Sequence, residues 1–307
     1  IEDNIPEQDS SDLEETTDQP TLVTLSTSGL LGRRSPNEEF TAKPGRHDVL
    51  ARSLETSGFA TVSALTDHGR ALTVRAREIP EMVRGSRGAS VTEMFSLSRG
   101  EKVVGLFGDG SDPIVLVTRQ GTVKRLEADA LKRLRSGTSA INLKGDDRVV
   151  SAFVASEDSE IVMIASDGQA LRTAAAGVSL QGPGAGGVAG MKLKPGSNVM
   201  AAGIVEFGAA VVVISDEGAI KATDVAEIPS KGRATGGVRT VKWRDFETTA
   251  AFVWVGRGQQ LAAVVADASD SKKATGAPVP LSLELTRRDG MTSAGEDRIL
   301  LIGEYRL

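Results

Sequence analysis

Residues 114–126 read IVLVTRQGTVKRL, in which five apolar or β-branched residues run into a polar turn ending at Gly121, followed by a second strand-like run. Val, Ile and Thr favour a pleated, packed surface, and a glycine closing a short polar turn between two such runs is the mark of a β-hairpin. The same sentence is written four more times: LVTLSTSGLLGR (22–33), ATVSALTDHGRALTV (60–74), IVMIASDGQALRT (161–173) and VVVISDEGAIKAT (211–223). Their turn glycines, Gly29, Gly69, Gly121, Gly168 and Gly218, are separated by 40, 52, 47 and 50 residues. That period is the size of one propeller blade.

A second echo follows each hairpin: a Gly-containing loop, a short strand, a polar turn and another strand. It is seen in residues 86–107, 135–154, 186–205 and 235–253, with Gly100, Gly145, Gly196 and Asp245 in matching turns. Each unit therefore supplies about four strands. Helix signals are sparse, because few windows longer than ten residues lack Gly or Pro. The pattern predicts an all-β, six-bladed, propeller-like disc with units near 20–58, 59–110, 111–158, 159–207, 208–258 and a degenerate 259–307. One unit leaves its apolar face open, and stacking neighbours around an axis closes it. A conventional propeller and one whose blades exchange strands both fit this periodicity.

Charge is segregated along the chain. Overall the formal charge is −5, but residues 1–19 hold eight acids and no base, which leaves 36 basic against 33 acidic residues and a net +3 for the remainder. The leader reads as a solvated linker, with a self-inhibiting, DNA-mimicking arm as the sharper alternative. Zero cysteines remove disulfides and thiolate metal sites, and His47 and His68 are the only histidines, so no metal site is expected. No apolar run reaches the roughly 18 residues of a membrane helix. Because the chain opens on Ile1, a fragment of a longer cytoplasmic, nucleoid-associated polypeptide is expected.

Enzymatic motifs are missing from the inventory. Gly182 to Gly187 (GPGAGG) lacks the Lys-Ser/Thr of a phosphate-binding loop, and GLFGDG (105–110) falls where every repeat makes a blade connection. His68 occupies a hairpin turn equivalent to Arg119-Gln120-Gly121, and His47 a basic loop. Carboxylates gather in turns such as Asp146-Asp147, Glu157-Asp158 and Asp216-Glu217, where turn chemistry accounts for them.

Basic residues recur at equivalent places. One group follows the hairpin turn: Arg33, Arg34, Arg70, Lys124, Arg125, Arg172 and Lys221. A second lies in the Gly-containing loop and the strand after it: Lys43, Arg46, Arg84, Arg87, Arg133, Arg135, Lys192, Lys194, Lys231, Arg233, Arg239 and Lys242. If these positions face outward on radially packed blades, they form an intermittent positive ring along the rim, suited to the phosphates of a bent duplex. The bland alternative is that they only solubilise strand ends. Aromatics are 4% of the chain without interleaving, which argues against base stacking and for phosphate contact.

Ile79-Pro80-Glu81, then Arg87-Gly88-Ala89-Ser90, then Leu97-Ser98-Arg99-Gly100-Glu101-Lys102-Val103-Val104, together with the hairpin Val115 to Arg125, resemble blades of the C-terminal domain of DNA gyrase and topoisomerase IV A subunits. The resemblance covers residues 20 to about 258 well and the last unit poorly. It implies a β-pinwheel with a swapped strand, double-stranded DNA wrapped over its outer edge, and no catalytic centre or cofactor in this chain. The cleaving tyrosine, Mg²⁺ carboxylates and ATP site would belong to the ATPase B subunit together with the rest of the A subunit. Gyrases carry Gln-Arg-Arg-Gly-Gly-Lys-Gly on the first blade; here Thr41-Ala42-Lys43-Pro44-Gly45-Arg46-His47 stands in that region. A topoisomerase IV-like enzyme, or a gyrase with a degenerate box, is therefore implied, with relaxation and decatenation favoured over supercoiling. A propeller scaffold for protein partners, or a hydrolase with carboxylates at the axis, are the competing readings.

Overall fold

A computed structural model of the chain describes residues 18–37, 48–83, 86, 88–257, 261–267, 270–274, 278–295 and 297–304. The acidic stretch 1–17, the box region 41–47 with Lys43, Arg46 and His47, and Arg84, Arg87 and Tyr305 lie outside the described residues.

The first unit holds β1 (Pro20–Ser26), β2 (Leu30–Arg34) and β3 (Leu50–Ser57); the second, β4 (Thr61–Thr66), β5 (Ala71–Arg75), β6 (Ala89–Ser90) and β7 (Val103–Phe107). Next come β8 (Ile114–Thr118), β9 (Thr122–Leu126) and β10 (Val149–Val154), then β11 (Glu160–Ala165), β12 (Gln169–Ala174), β13 (Val188–Ala189) and β14 (Val199–Val205). The fifth unit gives β15 (Ala209–Ser215), β16 (Ile220–Asp224), β17 (Val238–Arg239) and β18 (Ala250–Arg257). The sixth gives β19 (Leu261–Asp267), β20 (Asp270–Ala274), β21 (Val279–Leu281) and β22 (Ile299–Glu304).

All five hairpins turn the same way. Gly29, Gly69, Gly121, Gly168 and Gly218 have φ between +76° and +83°, a region only glycine enters cheaply, and each amide donates to the carbonyl three residues back. The last strand of each of these units returns along the first strand of its own hairpin: β3 along β1, β7 along β4, β10 along β8, β14 along β11, β18 along β15, every time with a register shift at the turn end. These returning strands line the axis with β22, around a cavity of about 220 Å³. Val104, Val150, Met200 and Phe252 are among its walls, and no carboxylate of the kind a hydrolase would need is among the lining residues. The ring closes where Glu304 on β22 pairs with Leu50 on β3.

In three blades the outer edge strand comes from the following unit. β6 pairs with β2, β13 with β9 and β17 with β12, all antiparallel. Single bridges repeat this at Arg70 with Ser139 and Ile220 with Ser293. The disc is thus the strand-exchanging design of the two that periodicity allowed. Insertion of the swapped strand brings backbone against backbone: a Cβ on Gly88 would lie 2.3 Å from Leu31 O, on Gly187 2.7 Å from Val123 O, and on Gly237 2.2 Å from Ala170 O.

Both faces of each blade are covered, which explains why the strands are apolar throughout rather than at alternate positions. Ile114 and Leu116 pack with Leu65 and Phe107 of the preceding blade, while Val115 and Val117 pack with Ile161, Met163 and Leu171 of the next. A small cluster of Val49, Ala262 and Val264 joins the last blade to the first. No helix among the described residues is long and apolar enough to cross a membrane.

Gly237→Ala is expected to lower unfolding free energy by about 3 kcal/mol, because a Cβ there adds a backbone clash to the cost of a positive φ. Gly196→Ala, at φ +80° with open space around it, should cost only about 1 kcal/mol. Equal losses in urea unfolding would refute the close approach of the swapped strand.

Candidate nucleic-acid interface

The two groups of basic residues separate cleanly by depth. Lys124 and Lys221, three after the hairpin glycine, and Arg125 and Arg172, four after it, send their polar ends to the crossing loop of the next unit. Lys124 is fully buried, Arg125 and Lys221 are 2% exposed and Arg34 8%. The expectation that these four face outward on the rim is therefore corrected: a strand covered on both faces leaves them no path to solvent.

What they hold is backbone. A crossing loop has carbonyls without ladder partners, and a buried carbonyl needs a donor. The Lys124 ammonium donates to Ala140 O (2.8 Å), Gly182 O (2.7 Å), Pro183 O (2.9 Å) and Ala185 O (2.8 Å). Burial pushes it down to about 8, which leaves it charged at neutral pH. Arg125 Nη1 donates to Ala175 O (3.1 Å) and Val178 O (3.0 Å), and Nη2 pairs with Glu157. Arg172 repeats this one blade on, with Nη1 toward Val225 O (3.5 Å) and Ile228 O (3.4 Å) and an ion pair to Glu160. Lys221 donates to Thr223 Oγ1 (2.7 Å) and Thr286 O (3.3 Å); burial lowers its pKa against the pull of Glu227 and Asp289. Arg33, half-buried, pairs with Glu81 at 3.4 Å.

The second group is exposed. Arg133, Arg135, Lys192, Lys194, Lys231, Arg233, Arg239 and Lys242 all reach solvent on the swapped strands or the loops beside them. Some are engaged: Lys194 with Asp167 (3.0 Å), Arg133 with Asp129 (3.8 Å), Lys231 with Gly237 O (3.2 Å), and Arg233 with Gly177 O (2.9 Å) and Ala189 O (3.1 Å). Arg135, Lys192, Arg239 and Lys242 have no ion pair or side-chain hydrogen bond among the described residues. Lys192 and Lys242 stand three residues beyond Ala189 and Arg239, which occupy the same place on the swapped strands of successive blades. The register also adds Lys144, exposed and five beyond the bridged Ser139, as Lys194 is five beyond Ala189. Counting from the swapped strand, rather than from the hairpin, would have found it.

Buried carboxylates pin the hairpin turns. Asp48 accepts from Thr27 Oγ1 (2.7 Å) and Ser28 N (2.8 Å), Asp147 from Gln120 N (3.0 Å), and Glu247 from Ser215 Oγ (2.9 Å) and Arg244 N (2.8 Å). Glu101 forms a bidentate pair with Arg70 (2.9 and 2.6 Å) and accepts from Ser98 N (2.9 Å). Burial opposes its ionisation, but the hydrogen bonds from Arg70, Thr66 and Ser98 outweigh it and hold the carboxyl at about 2. His68, in the same turn, has Nδ1 3.9 Å from Glu101.

The model of the family described as DNA gyrase C-terminal domain, beta-propeller, matches residues 61–107, 112–156, 159–206 and 209–247. The chain belongs to that family. Its strand-exchanging disc is a β-pinwheel, the C-terminal domain of an A subunit of that family. A relative from Aminobacterium colombiense, named as the A subunit of DNA gyrase, is 32% identical over 206 residues, 62% of this chain and 24% of its own length. The chain spans about a quarter of such curated relatives. Among solved structures, the C-terminal domain of DNA topoisomerase IV superposes with a TM-score of 0.78 at 22% identity, covering 94% of both chains. The DNA gyrase A C-terminal domain gives 0.65 at 19% identity, covering 92% of this chain and 99% of that one. These two likenesses are of fold.

A carboxylate whose pKa is lowered on folding adds stability above its unfolded value, and that stability is lost as pH falls through the folded one. For Glu101 the window runs from about 4.5 down to about 2. Glu101→Gln is expected to cost about 3 kcal/mol at pH 7 and to flatten the acid limb of a stability–pH profile. An unchanged acid limb would show that Glu101 ionises alike in both states.

Proposed function

We propose that the pinwheel binds double-stranded DNA along its rim through phosphate contacts, bends it, and presents the transported segment to the rest of the topoisomerase. The observation that carries this reading is the recurrence of exposed, unpaired bases on swapped strands: Arg135, Lys192, Arg239 and Lys242 stand at or beside the outermost strand of successive blades. Equivalent places on neighbouring blades form a track, and regularly spaced cations along a track match a polyanion better than a point ligand. Arg133, Lys194, Lys231 and Arg233 extend it, with their present partners exchangeable for phosphate. The proposed partners are duplex DNA, an ATPase B subunit, plus the remainder of the A subunit, in the nucleoid. ATP and Mg²⁺ would serve those other parts.

Replacing Arg135, Lys192, Arg239 and Lys242 together by Ser should weaken binding to a random-sequence duplex. The slope of log affinity against log salt should fall by about 3 to 4, since each neutralised phosphate contributes about 0.9. An unchanged slope would take these residues off the contact surface. Failure of the unaltered chain to bind at low salt would instead favour a scaffold for protein partners, for which the fully exposed Phe207 and the 86% exposed Phe246 would be the anchors to test.

The replaced box on the first blade supports relaxation and decatenation as the parent activity. Assembled with ATP and its B subunit, the enzyme is expected to decatenate linked circles and to leave a relaxed plasmid without negative supercoils. Efficient supercoiling would overturn that assignment.

A further inference from the structure

The axis of the disc holds one charge among apolar walls. Each returning strand shifts register at its turn end, and the residue just past the shift is Arg52 on β3 but Gly105, Ser151, Ala201, Phe252 and Leu301 on the other five. Arg52, Ser151, Ala201 and Phe252 all line the axial cavity of about 220 Å³, and Arg52 is the one charged residue among the described residues that line it.

A guanidinium carries five N–H donors. Among the described residues Arg52 makes one hydrogen bond, from Nη1 to the neighbouring Ala51 O (2.7 Å), and no ion pair. Solvent touches Arg52, but the surrounding disc displaces much of the water that would hydrate a surface arginine; that burial lowers its pKa, with Glu304 pulling the other way. A cation against apolar walls is unfavourable without a counter-charge, and none of these walls supplies one. Apolar walls with a single polar group that fixes orientation are the make-up of a small-ligand site. An apolar cavity of about 150 Å³ accepts benzene. The axial cavity therefore has room for a body of that size and a carboxylate. All six units contribute to its lining, so an occupant touches every blade at once.

We propose that the axial cavity binds a small organic anion, an aromatic or short aliphatic carboxylate, with its carboxylate on the Arg52 guanidinium and its apolar body against Val104, Val150, Met200 and Phe252. The planar fork of a guanidinium matches a carboxylate and offers nothing to a second cation. This site is separate from the rim and does not depend on duplex binding.

The probe is benzoate, titrated into the 307-residue chain with methionine and valine methyl groups isotope-labelled, and with benzyl alcohol and benzylammonium as controls. Benzoate is expected to shift the methyl resonances of Met200, Val104 and Val150 and to raise the melting temperature as its concentration passes its dissociation constant. Benzylammonium should change neither. Arg52→Met should weaken benzoate binding by about ten- to a hundredfold, the worth of a hydrogen bond to a charged group, and bring it level with benzyl alcohol. Equal binding of benzoate and benzyl alcohol by the unaltered chain would show a cavity indifferent to charge and overturn the site. So would shifts confined to the rim, or none at all. Should Arg52→Met not fold, the preference of the unaltered chain for benzoate over both controls decides alone.

Discussion

The structure depends on one constraint: the blades built on β1, β8 and β11 each take their outer edge strand from the next unit. The outer edge of the blade built from β8 to β10 is β13, which belongs to the next unit, and the same dependence is found at β6 and β17. Each crossing segment must leave its own unit, lie against a neighbour and return to the axis. Along the way it carries peptide groups that no ladder satisfies. A buried base supplies the missing donors, and Lys124, Arg125, Arg172 and Lys221 all work this way. The unit is therefore both a covalent repeat and a noncovalent clasp, and cooperativity between neighbours follows from its connectivity.

This division of labour among bases bears directly on function. In a domain whose remainder is only weakly basic, several cations are spent inside on carbonyls. The solvent-exposed bases of the second group lie on the swapped strands and the loops beside them. The element that closes each blade is thus also the element that presents charge. Among the turn carboxylates, Asp48, Glu101, Asp147 and Glu247 are turned inward and occupied, whereas Asp146 and Glu157 stay exposed.

Much of the fold could be read from one line, IVLVTRQGTVKRL. Its apolar, β-branched run and Gly-closed turn specify a hairpin by local chemistry, and recurrence at blade-sized intervals specifies radial packing, because a lone hairpin could not bury both faces. The same line also held a warning about the site. If every residue of β8 is apolar or β-branched, both faces of the blade are covered, and Lys124 and Arg125 on the paired strand are covered with them. Periodicity marks equivalence without marking orientation, so repeated bases after the hairpin resemble repeated bases after the loop.

By itself the sequence determined the strand class, the period, the number of units and the family, since these follow from residue types within about fifty positions of one another. Only the tertiary structure decided that strands are exchanged, and which bases are clasps and which face solvent. Each of those facts joins residues of different units, such as Lys124 to Gly182 or β17 to β12. Spacing along one chain carries no record of which carbonyl a buried ammonium meets across a blade boundary.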